Sequence, residues 1–419
     1  MREMKATGVE WCPSIPDAWS MGRVKGYFAI SKDLSSVINP TVLKLARSGI
    51  CVKDVTTNEG QMAESYENYN KVLPGDLLLN PMDLYSGANC NVSEIEGVIS
   101  PAYTNLRYSR SLVPKYYDYY FKIQYWTMAM FAHGKGVSYD NRWTINADGI
   151  KNYEIPVPPY DEQVKIVNRI NAECEKVDAL IANQEAQIEK LKQYKQSLIA
   201  EVVTKGLDPN ATMKDSGVEW IGPINESFKV ATIRSIFQIK KEIIGHEPET
   251  VLSITQRGLK IKDVSVNEGQ MAGSYEHYQI VNVGDFAMNH MDLLTGGVGI
   301  SQYDGVTSPD YRVFRMRSKT MNPKYFLYVL EMYYRNKIFY AFGQGAANIG
   351  RCRLPAQNFN AIWIPVAPIE EQNRIADYLD KKLSAIEFLI LKKTEKIVAL
   401  NQYKQSLIYE YVTGKKEVV

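Results

Sequence analysis

The chain contains the same long passage twice. GICVKDVTTNEGQMAESYENY from Gly49 returns as GLKIKDVSVNEGQMAGSYEHY from Gly258, a shift of 209 positions. The same shift carries GVEW from Gly8 to Gly217, the turn at Gly75 and Asp76 to Gly284 and Asp285, and PKY from Pro114 to Pro323. It also carries QYKQSLI from Gln193 to Gln402, and one single-residue slip interrupts it, where Ser100 and Pro101 answer to Ser308 and Pro309. A period this long is a duplicated domain, because solenoid repeats run to ~20–50 residues. Whatever fold the first half adopts, the second must adopt again.

Each copy ends in a heptad-patterned stretch. Apolar residues step by four and three through Ile166, Ile170, Cys174, Val177 and Ile181, and again through Ile375, Leu379, Leu383, Ile386 and Ile390. The spacing predicts two helices of roughly 45 residues, each about 65–70 Å long at ~1.5 Å per residue. Each follows a proline-containing run, IPVPPYDEQ from Ile155 and IPVAPIEEQ from Ile364. A narrow apolar stripe on so long a helix needs a partner. The copy in the same chain, returned after a whole globular segment, is expected to pack against it antiparallel; pairing between separate chains is the alternative. Gln184 and Lys393 interrupt the two seams at corresponding positions, either as register-fixing buried polar groups or as exposed ones.

The rest of each copy reads as a mixed α/β (α+β) domain. VLPGDLLLN from Val72 and VNVGDFAMN from Val281 have the pattern strand, turn, strand, and the stretches opened by Pro114 and Pro323 have helical spacing with Pro at a helix start. The expected division is two globular domains at 1–157 and 207–366, and two long helices at 158–206 and 367–419.

Several function classes are disfavoured. The amino terminus lacks an apolar signal region and no run of ~18 apolar residues occurs, so secretion and membrane spanning are not expected. The five cysteines (Cys12, Cys51, Cys90, Cys174, Cys352) form no CxxC pair, and the four histidines have no metal-ligand spacing. They read as reduced cytoplasmic thiols, with no metal site. The net charge of +2 points to no polyanion by itself. VPPY at Val157 lacks the residue that a methyltransferase motif needs before its prolines, and NPMD at Asn80 lacks the second proline and the aromatic. GAANIGRC from Gly345 approaches a phosphate-binding loop, but Arg351 and Cys352 replace its lysine and hydroxyl. No catalytic residues are expected.

What remains is binding. A glycine loop ends each globular part: HGKGVSYDNRW from His133 and FGQGAANIGRC from Phe342. Glycines followed by arginine suit close approach to a base edge, where arginine grips guanine with two hydrogen bonds; a plain surface loop is the bland alternative. The candidate DNA contacts are Lys135, Tyr139, Asn141 and Arg142 in the first copy, with Arg107 nearby. Those in the second are Gln344, Asn348, Arg351 and Arg353, with Arg312.

In their order and repetition, GVEW, the glycine–aspartate turn, the SPxY elements, the glycine loop and the proline-led helices ending in QYKQSLI resemble one known family. It is the specificity subunits of type I DNA restriction–modification systems. The resemblance implies two target-recognition domains, each reading half of a split double-stranded DNA target. It implies an antiparallel helix pair as spacer, docking two methyltransferase subunits, with a restriction subunit in the same complex. S-adenosylmethionine, ATP and magnesium would belong to those partners, with no cofactor in this chain. Recognition domains of that family usually differ widely, whereas here the first halves are close copies and the glycine loops have drifted. A self-contained methyltransferase or nuclease with unfamiliar motifs, and a purely structural adaptor, are the other readings.

Overall fold

The computed structural model describes residues 2–418 apart from 35–39, 47–48, 56–64, 85–88, 109–111, 137–142, 257, 265–271 and 346–351. The two long helices are continuous, Tyr160–Lys205 with 46 residues and Ile369–Val412 with 44. The chain divides into two compact units, Met1–Gln184 with Thr394–Val419, and Glu185–Lys393. Both cuts fall mid-helix, at the polar seam residues Gln184 and Lys393, so each unit owns half of each helix.

Within each unit the two half-helices run antiparallel. In the first, Arg169 Nε donates to the Tyr411 hydroxyl at 3.2 Å, and Lys404 reaches Asp178 at 2.7 Å. In the second, Lys393 donates to Gln187, Lys195 pairs with Glu387, and the Leu207 N–H donates to Glu371 at 3.2 Å. As one number rises its partner falls, which is the signature of opposed chain directions. Gln184 is buried and Lys393 half-buried. The seam is driest at its ends: Ile166, Ile170, Leu407 and Ile408 are buried in the first unit, and Leu198, Ile199, Ile375 and Leu379 in the second. Toward mid-helix, Ile181, Ile188, Ile390 and Ile397 are only half-buried.

The globular parts match strand for strand. Each holds a four-stranded antiparallel sheet, in the order Phe28–Ser31, Thr104–Tyr108, Leu77–Leu79, Cys90–Val92 in the first unit. The second repeats that order as Phe237–Lys240, Arg312–Met316, Phe286–Met288, Val298–Ile300. The helices Pro114–Trp126 and Pro323–Arg335 start at their prolines and pack on the Cys90–Val92 and Val298–Ile300 strands. The turn between the second and third apolar runs needs its glycine, because Gly75 and Gly284 sit at φ +93° and +89°. The following carboxylate closes it: Asp76 accepts from Leu73 N–H and Asp285 from Asn282 N–H, both at 2.9 Å.

Helix and sheet are locked together by the glutamine of the proline-led motif. Gln163 donates to the Pro158 carbonyl at 2.9 Å and accepts from Val113 N–H at 3.0 Å. Gln372 repeats both bonds, to Ala367 at 2.8 Å and from Asn322 at 3.0 Å. One side chain thus ties the start of a long helix to the entry of the short helix, and both glutamines are 1% exposed. A tyrosine from each short helix then holds a long-helix end, Tyr116 donating to Val412 O at 2.6 Å and Tyr325 to Val203 O at 3.1 Å.

Removing the glutamine strands two buried backbone groups, each costing roughly 1–3 kcal/mol when unpaired. Gln372→Ala is therefore expected to lower unfolding stability by about 2–4 kcal/mol, against under ~0.5 kcal/mol for the exposed Lys396→Ala. Urea denaturation of both variants checks this; equal stabilities would remove the clamp role.

A candidate nucleic-acid interface at the glycine loops

The two glycine loops share one base although their sequences differ. Lys135 and Thr144 exchange backbone hydrogen bonds at 2.7 and 3.0 Å, and Gln344 and Arg353 do so at 2.8 and 2.9 Å. Both pairs are related by the 209-residue shift. The residue after each bridge is anchored as well, Ile145 N–H to Pro81 O and Leu354 N–H to His290 O, both at 2.9 Å. These acceptors belong to NPMD and NHMD, the segments the sequence separates from a catalytic motif. They are turns: Asn80 Oδ1 accepts from Met82 N–H at 3.0 Å, and Asn289 Oδ1 from Met291 N–H at 3.1 Å. A tyrosine of each short helix fixes them from below, Tyr125 on Asn80 O at 2.7 Å and Tyr334 on Asn289 O.

Of the residues singled out in the sequence, Lys135, Gln344 and Arg353 lie at these bases with exposed side chains. Tyr139, Asn141, Arg142, Asn348 and Arg351 lie outside the described residues. Arg107 is committed to the protein: Nε and Nη2 each donate to Asp76 at 2.9 Å, and Nη1 donates to Asp33 at 2.7 Å. Arg312 is buried, with Nη2 on Leu354 O at 2.7 Å and its guanidinium 4.8 Å over the Phe359 ring. Arg107 thus spends its donors within its own domain, whereas Arg312 spends Nη2 there and its Nη1 finds no partner among the described residues. Sequence spacing places them in the right region without revealing which way each faces the sheet.

The buried carboxylate of the glycine–aspartate turn is neutralised in both units from different strands. Arg107 on Thr104–Tyr108 serves Asp76, whereas Lys240 on the neighbouring strand Phe237–Lys240 serves Asp285 at 2.9 Å. Beside the second bridge, His290 is a buried histidine that sequence reasoning passes over. Burial, reinforced by Arg312 and Arg353, pushes its imidazole down to about 4, and burial beside Arg353 brings Arg312 down to about 10.

In the second unit a cleft of about 550 Å³ is bordered by Lys262, Tyr278, Asn289, Asp292 and Tyr311. The first unit carries Lys53, Tyr69, Asn80, Asp83 and Tyr103 at the corresponding positions. Burial holds the Tyr278 and Tyr311 hydroxyls above their ordinary range, so both stay protonated as donors at neutral pH.

His290 generates a pH prediction. In the unfolded chain its imidazole titrates near 6.5, and in the folded chain near 4. Falling pH therefore protonates the unfolded state first, and stability is lost as pH drops from 6.5 to 4, by up to about 3 kcal/mol. Urea unfolding at pH 7 and pH 4.5 is expected to show this loss in the wild type and a smaller one in His290→Gln. Identical pH dependence in the two proteins would contradict the assignment.

Comparison with known proteins follows the geometry. No family model matches the chain. A Methanocaldococcus jannaschii protein named as a type I restriction enzyme MjaX specificity subunit is 24% identical over 283 residues, covering 66% of this chain and 63% of that protein. The match thus spans less than two thirds of that relative's length. A chain solved in work on complex assembly and conformational transition of the type I R-M system superposes with a TM-score of 0.67 at 15% identity, covering 96% of this chain and 99% of that one. The HsdS subunit from Thermoanaerobacter tengcongensis gives 0.47 at 16% identity, covering 96% of this chain and 98% of that one. In sequence the chain is similar to a type I restriction enzyme specificity subunit, and in fold to a chain of the type I R-M system.

Proposed function

We propose that the chain is the DNA-recognition subunit of a type I restriction–modification complex and carries no catalytic site of its own. Each unit reads one half of a split double-stranded target, and methyl transfer, ATP-driven translocation and cleavage belong to partner subunits. The observation that carries this reading is the pair of loop bases. Scaffold, bridge and anchoring turn are the same in both units, while the loop sequences differ, as expected of one reader retuned to two sequences. Lys135, Tyr139, Asn141 and Arg142 then face one half-site, and Gln344, Asn348, Arg351 and Arg353 the other. The matching tyrosine and lysine positions around the cleft make contacts common to both. Methylome sequencing of cells with and without the gene tests the reading: a split methylated motif must vanish with it. Methyl transfer by the purified chain alone would overturn it. Arg142→Ala and Arg351→Ala are each expected to cost about 1–3 kcal/mol and relax one position of one half-site.

The helices supply the docking and spacing roles. Phe388, Leu389 and Leu391 are 46–57% exposed on the second long helix. Large apolar side chains left in water on a helix suit a protein partner, and the methyltransferase subunit is the one this reading requires. Phe388→Asp with Leu391→Asp is expected to abolish its co-purification without lowering the chain's melting temperature. One heptad added to both helices N-terminal to QYKQSLI keeps the seam in phase and adds about 10 Å. At ~3.4 Å per base pair, the unread spacer is expected to grow by up to about three pairs with the half-sites unchanged, as read by methylome sequencing.

A further inference from the structure

Three positions change character together between the units. The first unit carries Pro81, Thr104 and Thr144 where the second carries His290, Arg312 and Arg353. All three gather at the base of the second loop, around the Gln344–Arg353 bridge. Leu354 N–H donates to His290 O at 2.9 Å, Arg312 Nη2 donates to Leu354 O at 2.7 Å, and Arg353 forms the bridge itself. Arg312 and His290 are 6% and 5% exposed. Yet Arg312 Nη1 and His290 Nδ1 find no hydrogen-bond partner among the described residues. Among the described residues, the charges that act on His290 are those of Arg312 and Arg353, and the charge that acts on Arg312 is that of Arg353.

This is the reverse of the arrangement around Asp76 and Asp285, where every buried charge has its opposite. Burying a guanidinium without a counter-charge is costly, and such groups are ordinarily paired. Phe359 covers one face of Arg312 and satisfies no donor. At the equivalent place the first unit has Ile150 and two threonines, and the cation of its bridge, Lys135, is exposed to solvent. In the second unit a further cation, Arg353, stands exposed at the edge of the cluster.

We propose that His290, Arg312 and Arg353 of the second unit form a phosphate-binding site, built on residues that the first unit replaces by Pro81, Thr104 and Thr144. An anionic oxygen would accept from Arg312 Nη1, with a second oxygen held by Arg353. Arg312 thereby acts on a phosphate and not on a base edge, and its contribution is blind to sequence. The phosphate comes either from the DNA backbone beside the second half-site or from free inorganic phosphate. The first source rests on the recognition reading above; the second stands without it.

The experiment uses the full chain with its methyltransferase partner and a duplex carrying the methylated motif, in which single phosphates are replaced in turn by neutral methylphosphonates. In the wild type, one replacement beside the second half-site is expected to weaken binding about tenfold, with no counterpart beside the first. Arg312→Thr and Arg353→Thr, which install the first unit's residues, are expected to be indifferent to that replacement. They are also expected to lower the slope of log affinity against log salt by ~0.9, one phosphate's share. Arg353 is exposed, so its variant remains informative if Arg312→Thr does not fold. In parallel, inorganic phosphate at fixed ionic strength is titrated against thermal unfolding of the chain without DNA. Stabilisation of the wild type but not of Arg353→Thr, with no sensitive methylphosphonate, assigns the site to the free ion. Sequence-specific binding with neither effect overturns the site and leaves the recognition reading standing. Absence of sequence-specific binding and of phosphate stabilisation overturns both.

Discussion

A helix of 46 residues with a narrow apolar stripe cannot keep that stripe out of water alone. The fold answers by letting each long helix complete two cores. The first half of one helix and the last half of the other close the first unit, where Ile166 and Ile170 share a core with Leu407, Ile408 and Tyr411. The complementary halves close the second, where Leu198 and Val202 share a core with Ile375 and Leu379. Neither globular part owns a complete core within its own copy of the repeat. That dependence makes the duplication more than a doubling of binding sites, because each copy folds onto a helix supplied by the other.

The residues repeated most faithfully turn out to be fasteners. Trp11 and Trp220 of GVEW donate to Glu154 O and Trp363 O, at 3.5 and 3.3 Å. Gln163 and Gln372 join helix to helix, and Tyr116 and Tyr325 hold helix ends. Each satisfies backbone groups that would otherwise be buried unpaired, so substitution costs more than the single bond it removes. Variation is left to what hangs from the bridges. This is how a scaffold can keep the bases of two loops alike while the sequences between them separate.

Much of this was legible in the chain itself, since a repeat aligned on itself exposes both the domain and the helices. The heptad positions located the seam, and Pro114 and Pro323 located two helix starts. What the residues could not disclose was facing. Arg107 and Arg312 lie in a basic stretch beside the loops, and only the sheet shows that one is spent on Asp76 and the other turned under Phe359. The role of Gln163 was hidden for a related reason, because its two partners lie on either side of it in space but 5 and 50 residues away in sequence. His290 carries no signal in the sequence, because the arginines that act on it, Arg312 and Arg353, are brought to it only by the fold.

Charge bookkeeping between the units separates drift from design. The lysine or arginine that neutralises the buried turn aspartate has moved from one strand to its neighbour, and the pair survived the move. The buried carboxylate is met by a cation in both units, an arginine from one strand in the first and a lysine from the neighbouring strand in the second. The cluster of His290, Arg312 and Arg353 obeys no such rule, for its charge of one sign has no opposite among the described residues. Were that cluster merely structural, the neutral set at Pro81, Thr104 and Thr144 shows that the same bridge and turn form without it. Its cost is therefore not imposed by the fold, and a negative group arriving from outside the chain would offset it.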